Sequence, residues 1–490
     1  MFVRSIVRFF GAALVVLIFS TLLGSGYSQA KQPSILEWDE PIPLSDPQVN
    51  SNAPAITTDS TGGVHVIWSQ MMATENRPPA EGDTLFYARW NGETWTKPMD
   101  IMISPVDGIE WPDIAATPDG RLHVVWATGG KNSRLYYASA PACCAEDARS
   151  WSKPVLLDMR ILDAPAVLAD PLGRLHVAYA SQETNDIIYT RSIDGGSTWS
   201  SPIQMPSGVV QEDEYSIYPR LAADDSGRVH LVWTNLPWPG RSIMYARSHD
   251  GGLTWESPHM IDSFNQNYRS ESYGPIYVDV EAWGENQVHI IWDGPPTVER
   301  NHIWSADGGR TWSSRSLLFP EITLAGRSGW NDMAFDSAGI LHSVTLGALH
   351  ATFDGSSWSS TEVIAPSDPS AIGCELLRIA IGLGNQLNVV WVDKDTTPFI
   401  VYYSHAQANA PELPSRPFTS PTSKITPSTP EDGSSISITA VITPSISPIL
   451  SEALPPVQSS SPTGGVVIGI VPVVSLLIVI IAFRFIKKTK

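Results

Sequence analysis

The stretch Ser192–Trp199 reads SIDGGSTW, and its pattern returns as SHDGGLTW at Ser248–Trp255 and SADGGRTW at Ser305–Trp312. Each copy suits a tight hairpin. The Asp carboxylate accepts backbone N–H groups of the turn, the glycines permit positive φ, and Thr-Trp restarts a strand with a large indole to seat. Degenerate versions occur at RWNGETW ending in Trp95, at SWSKP after Ser150, and at FDGSSW ending in Trp358. Trp95, Trp151, Trp199, Trp255, Trp312 and Trp358 therefore occupy one repeated position. A position that serves every repeat is expected to pack repeat against repeat rather than stack on a ligand.

A second pattern recurs more often: a Gly turn, a His flanked by apolar residues, then a β-rich run ending in an aromatic. It reads GGVHVIW at His65, GRLHVVW at His123, GRLHVAY at His176, GRVHLVW at His230 and NQVHIIW at His289, with weaker copies at His342 and Asn388. Successive anchors lie 58, 53, 54, 59, 53 and 46 residues apart. Seven units of this length, each with four short strand patterns, predict an all-β, seven-bladed β-propeller with four-stranded antiparallel blades. Because each His falls in a different blade, the series does not form a shared metal site. The last unit lacks its fourth strand before residue 409, and Leu36–Leu44 (LEWDEPIPL) supplies the matching W-x-x-P-I pattern at the other end. The amino-terminal strand is thus expected to complete the last blade and close the ring.

The S-x-D-x-G-x-T-W turns resemble the Asp-box, or BNR repeat, of sialidases and related β-propellers. In that family the boxes staple blades and lie away from the active site, so the resemblance implies a fold more strongly than a reaction. It implies exo-sialidase chemistry only if three arginines, a tyrosine–glutamate nucleophile pair and an acid/base aspartate share one pocket. The family's first-blade F-R-I-P motif has no counterpart here, where the unit reads NAPAITT with Ala55 in the relevant region. Catalytic sialidases also usually carry six blades.

The remaining bounds concern compartment and partners. Residues 1–30 have Arg4 and Arg8, an apolar run and Ser28-Gln29-Ala30, the layout of a signal peptide. Residues 31–408 are expected to form the propeller and 409–463 a Pro/Ser/Thr-rich stalk. Residues 464–484 have the length and apolarity of a transmembrane helix, and 485–490 form a basic cytoplasmic tail, which places the propeller outside the cell membrane. A net charge of −19 disfavours nucleic acid. Three cysteines, Cys143, Cys144 and Cys374, exclude a disulfide framework; the adjacent pair Cys143-Cys144 invites a vicinal disulfide or a metal. No cofactor motif is present, although Asp224-Asp225 offers carboxylates to a structural Ca²⁺.

A functional site is sought where the repeats diverge, because packing positions must stay alike. Aligned on the Pro-like position that begins each innermost strand, the units give Ala55, Asp113, Ala166, Arg220, Ile276, Asp332 and Arg378 just after it. Just before it stand Ala53, Trp111, Ala164, Tyr218, Gly274, Trp330 and Leu376. Loops leading in add Glu110, Asp163, Arg269, Glu271, Tyr273, Arg327 and Glu375. Aromatic rings stack on sugar faces and carboxylates accept sugar hydroxyls. Trp111, Asp163, Tyr218, Trp330, Asp332 and Glu375 are therefore candidate contacts to an extracellular glycan. Carrying the sialidase roles onto this chain gives Arg220, Arg378 and either Arg269 or Arg327 as the clamp, Tyr273 with Glu271 as nucleophile pair, and Asp113 as acid/base. Asp113 and Asp332 could alternatively act as the two carboxylates of another glycosidase. The rival from a different class is a non-catalytic head that binds protein or envelope polymer.

Overall fold

The apolar runs around the repeated His residues form the second strand of each blade and are buried from end to end, as in Val64–Gln70 and Leu175–Ala180. A strand covered on both faces reads as a continuous apolar run rather than an alternating one. The computed structural model describes residues 36–411 apart from 71–83, 107, 131, 207–214, 237–241, 264–274, 295–298, 321–328, 366–372 and 396. Their strands make seven four-stranded sheets, as the repeat count predicts. The innermost strands are Ser51–Thr58, Ile109–Thr117, Ala166–Ala169, Tyr215–Ala223, Ile276–Trp283, Asp332–Phe335 and Cys374–Ile381, for blades 1 to 7 in order. Each touches the innermost strands of both neighbouring blades, and blade 7 returns to blade 1, so the ring is closed. Blade 7 is completed by Ile42–Pro43 paired antiparallel to Ile400–Gln407, with a further bridge between Trp38 and Ala406.

The signal segment at 1–30, the stalk beyond residue 411 and the span at 464–484 lie outside the described residues. Among the described residues no helix is long and apolar enough to cross a membrane.

Each repeated His is the hub of a buried network inside its own blade. His65 joins Tyr87 at 2.7 Å and Asp59 at 3.0 Å, and His176 joins Tyr189 at 2.7 Å and Asp170 at 3.2 Å. In blade 2 Thr117 replaces the Asp, at 2.9 Å from His123. In blades 5 and 6 the Tyr is replaced by His302 and His350, each 3.0 Å from its partner His. Blade 7 keeps the Tyr and replaces the hub: the Tyr403 hydroxyl donates to Asn388 Oδ1 at 2.7 Å. Buried polar groups need such partners, and the variants preserve the bond while changing the residue.

The same aromatic also receives the tryptophan of the following blade. Trp151 meets Tyr87, Trp199 meets Tyr137, Trp255 meets Tyr189, Trp312 meets Tyr245, Trp358 meets His302 and Trp95 meets Tyr403, all edge-on at centroid distances of 4.7–6.2 Å. The seventh pair is Trp38 on His350 at 5.3 Å, supplied by the amino-terminal segment. Edge-to-face contacts of this kind contribute about 0.5–1.5 kcal/mol each beyond area burial.

Candidate functional site

In five of the seven blades the inward end is set by a backbone irregularity. Register shifts occur at Asn52/Ala55, Glu110/Asp113, Ile217/Arg220, Ile276/Asp279 and Glu375/Arg378. Within them Ala53, Trp111, Tyr218, Tyr277 and Leu376 take φ of 48°, 48°, 54°, 53° and 55°. Non-Gly residues are rare in this region, so a bulge repeated in five blades marks a position where side chains are re-aimed. The bulged residues turn into the axis. Ala53, Trp111, Ala164, Tyr218, Tyr277, Trp330 and Leu376, one from every blade, form a single apolar cluster across it.

This places the fifth blade differently from the alignment on Pro275. The structural equivalents there are Tyr277 and Asp279; Gly274 lies outside the described residues and Ile276 is a buried residue of the innermost strand. Asp279 precedes His289 by the same ten residues that separate Asp113 from His123 and Arg220 from His230. Counting back from the His, rather than from the Pro, identifies it.

Trp330 is the centre of the cluster. Its ring lies 5.5 Å from Trp111, 4.9 Å from Tyr218 and 5.2 Å from Tyr277, and only 5% of the residue is exposed. The residues on either side of it are tied to one carboxylate: Asp293 accepts from Gly329 N at 2.9 Å and from the side-chain Asn331 Nδ2 at 2.9 Å, while Arg300 Nε stands 3.4 Å from the same carboxylate. Sequence reasoning missed Asp293 and Arg300, which lie on the second and third strands of blade 5, and Asn331, which serves there only as the Pro-like position for alignment. Trp111, Tyr218 and Tyr277 remain half-exposed around the plug. Thus Trp330, expected at an open rim, instead fills the axis.

Below the plug the next position along each innermost strand brings Asp113, Arg220, Asp279, Asp332 and Arg378 around one cavity of about 280 Å³, whose lining also includes Glu281. The Arg220 guanidinium lies 4.7 Å from the Trp330 ring centre and that of Arg378 lies 5.3 Å from it, on cation–π terms. Ion pairs are long: Arg220 to Asp279 and Arg378 to Asp332 are each 3.9 Å. Two aspartates also tie blades together, Asp113 accepting from Val167 N at 2.9 Å and Asp332 from Ile379 N at 2.7 Å. Burial, with Arg378 alongside, lowers Arg220 to about 10; burial, with Asp332 nearby, pushes Asp279 up to about 8. Burial also raises Asp332, and it raises Glu281 well above the usual carboxylate range.

The structure therefore brings together Asp113, Arg220, Asp332 and Arg378, and separately Trp111, Tyr218 and Trp330. Asp163 sits beside the second group, where burial pushes it up to about 7 although Ala164 N donates to it at 2.7 Å. Glu375 is paired with Lys394 at 3.1 Å. Arg269, Glu271, Tyr273 and Arg327 lie outside the described residues. Of the Asp224-Asp225 pair considered for Ca²⁺, Asp224 accepts from Ser226, from Arg228 N and from Arg228 Nε. Among the described residues no group of three or more His, Cys, Asp or Glu could hold a metal ion. Cys143 and Cys144 are free and exposed.

No protein-family model matches the chain, and no curated protein matches it in sequence. Solved structures do align with it. A protein of unknown function from Dyadobacter fermentans covers 76% of this chain and 99% of its own at 13% identity, with a TM-score of 0.47. An ulvan lyase covers 76% and 96% at 12% identity, TM-score 0.48, and a sialidase from Streptococcus pneumoniae covers 78% and 71% at 13% identity, TM-score 0.42.

Proposed function

We propose that the chain is a glycan-recognition head of the sialidase-like Asp-box type, held outside a cell membrane by the segment at 464–484, and that it binds rather than hydrolyses. The observation that carries this reading is the axial cluster: Trp111, Tyr218 and Tyr277 stand half-exposed around a buried Trp330, with the acidic side chains Glu110, Asp163 and Glu375 close by in sequence. Flat aromatic faces beside carboxylates suit the apolar faces and hydroxyls of a sugar. The guanidiniums needed to clamp a substrate carboxylate, Arg220 and Arg378, lie beneath Trp330. A sialoside arriving at the aromatic end would meet the indole before either of them.

The test applies the full-length chain to a glycan array and, in parallel, to fluorogenic sialosides and other aryl glycosides. The expected result is saturable glycan binding, weakened about tenfold or more by Trp111→Ala or Tyr277→Ala in variants that keep the β-sheet circular dichroism of the parent, and no turnover. Turnover of a sialoside that Arg220→Ala abolishes would replace this reading with the hydrolase. Binding that survives both aromatic substitutions would move the site off the axis.

A further inference from the structure

The cavity beneath Trp330 brings a guanidinium with unmade hydrogen bonds together with carboxyl groups that burial holds largely neutral. Arg220 is 7% exposed, yet its Nε and Nη2 have no hydrogen-bond partner. The nearest carboxylate, Asp279, stands 3.9 Å from Nε, too far for a hydrogen bond. A buried guanidinium with unmade bonds is costly, and this one lines a cavity of about 280 Å³. That space is ample for a molecule of a few heavy atoms. Asp279 and Glu281 line the same cavity. Asp113 and Asp332 are each tied to the next blade through a backbone N–H, whereas Asp279 accepts only from Val280 N–H of its own strand among backbone donors.

We propose that this shaft binds a small zwitterion of the α-amino-acid class, its carboxylate accepting from Arg220 and Arg378 and its ammonium donating to Asp279 and Glu281. Charge complementarity selects the class. A lone anion would satisfy Arg220 but make no use of the carboxyls of Asp279 and Glu281, and a lone cation would leave the Arg220 bonds unmade; a ligand with both charges a few ångströms apart engages both. Thr58, Ala116, Ala169 and Ala380, at the end of the lining away from the plug, are part-exposed, which puts the way in on the face opposite the aromatic cluster. The way in is therefore separate from the glycan-binding end.

Isothermal titration calorimetry on the full-length chain tests this with glycine and L-alanine against their half-ligands, acetate and methylammonium, in two buffers of different ionisation heat. The expected result is that the zwitterion binds at least about tenfold more tightly than either half. It should also release a proton near pH 7, because the ammonium ionises an Asp279 that is otherwise largely protonated. Glu281→Gln should weaken glycine about tenfold while leaving acetate unchanged. Ala380→Leu, which narrows the shaft, should abolish binding and serves if the first variant does not fold. The proposal fails if no probe gives saturable heat, if acetate binds as tightly as glycine, or if both variants bind glycine as the parent does.

Discussion

Asp279 is a carboxyl held neutral inside the fold, and its titration sets a pH dependence of definite sign. Its folded value of about 8 lies above the unfolded 3.8, so its contribution to stability is complete below 3.8 and is lost as pH rises toward 8. Asp279→Asn removes that loss. Between pH 6 and pH 9 the parent should fall by about 3 kcal/mol relative to the variant, read from paired denaturation curves. The buried histidines act in the other direction. Burial lowers His123 to about 4, so its contribution is present above 6.5 and lost as pH falls toward 4. At this scale the sequence was informative in part. Asp113, Arg220, Asp332 and Arg378 stood out because they break a repeat. Asp279 was hidden because the Gly-Pro pair at 274–275 imitates the Pro-like position of other blades a few residues too early. The burial of Trp330 was not legible either, since one chain cannot reveal that seven separate positions meet on an axis.

Among the elements, the S-x-D-G-G-x-T-W turn shows how a short motif can be fixed by a neighbour. In each copy the Asp accepts from the Thr backbone and hydroxyl, as Asp250 does from Thr254 at 2.8 Å and 2.6 Å. The second glycine answers to a different requirement. A Cβ at Gly252, where φ is +82°, would fall 1.7 Å from the Tyr189 hydroxyl of the preceding blade. Gly252→Ala should therefore cost about 2–5 kcal/mol, combining left-handed strain with overpacking, measurable as a drop in the urea midpoint. The corresponding change at Gly195, whose Cβ would meet nothing within 4 Å, should cost only the backbone strain, about 1–2 kcal/mol. The hairpins and their tryptophans could be read from spacing because the contact repeats in every blade. Why a glycine is tolerant in one copy and crowded in another could not, because the atoms a Cβ would meet lie in another repeat.

Over the whole molecule, stability rests on closure of the ring. Trp38 supplies the seventh edge-on aromatic contact, and Asp39 N and Leu44 N donate to His405 O and Val401 O at 2.9 Å and 2.8 Å. Trp38→Ala should destabilise the propeller by about 3–5 kcal/mol, the usual range for removing a large aromatic from a packed site. Deleting residues 36–44 should go further, exposing the edge of Ile400–Gln407 and producing concentration-dependent association in sedimentation. Blade number and the origin of the closing strand were visible in the sequence, since both follow from counting repeats and noticing one missing strand.

The carboxyl end of the propeller leaves through this same blade. The Pro411 carbonyl accepts from Ser337 and Asn385 just after the strand Ile400–Gln407, whose eight residues pair in register with Gln386–Asp393. Traction applied at residue 411 first strains those two side-chain bonds and then pulls the strand along its own length. Its rungs on one side, and the amino-terminal strand on the other, are then loaded in shear together, not peeled one by one. A head hung from this point would yield to force abruptly, and blade 7 would be where it parts.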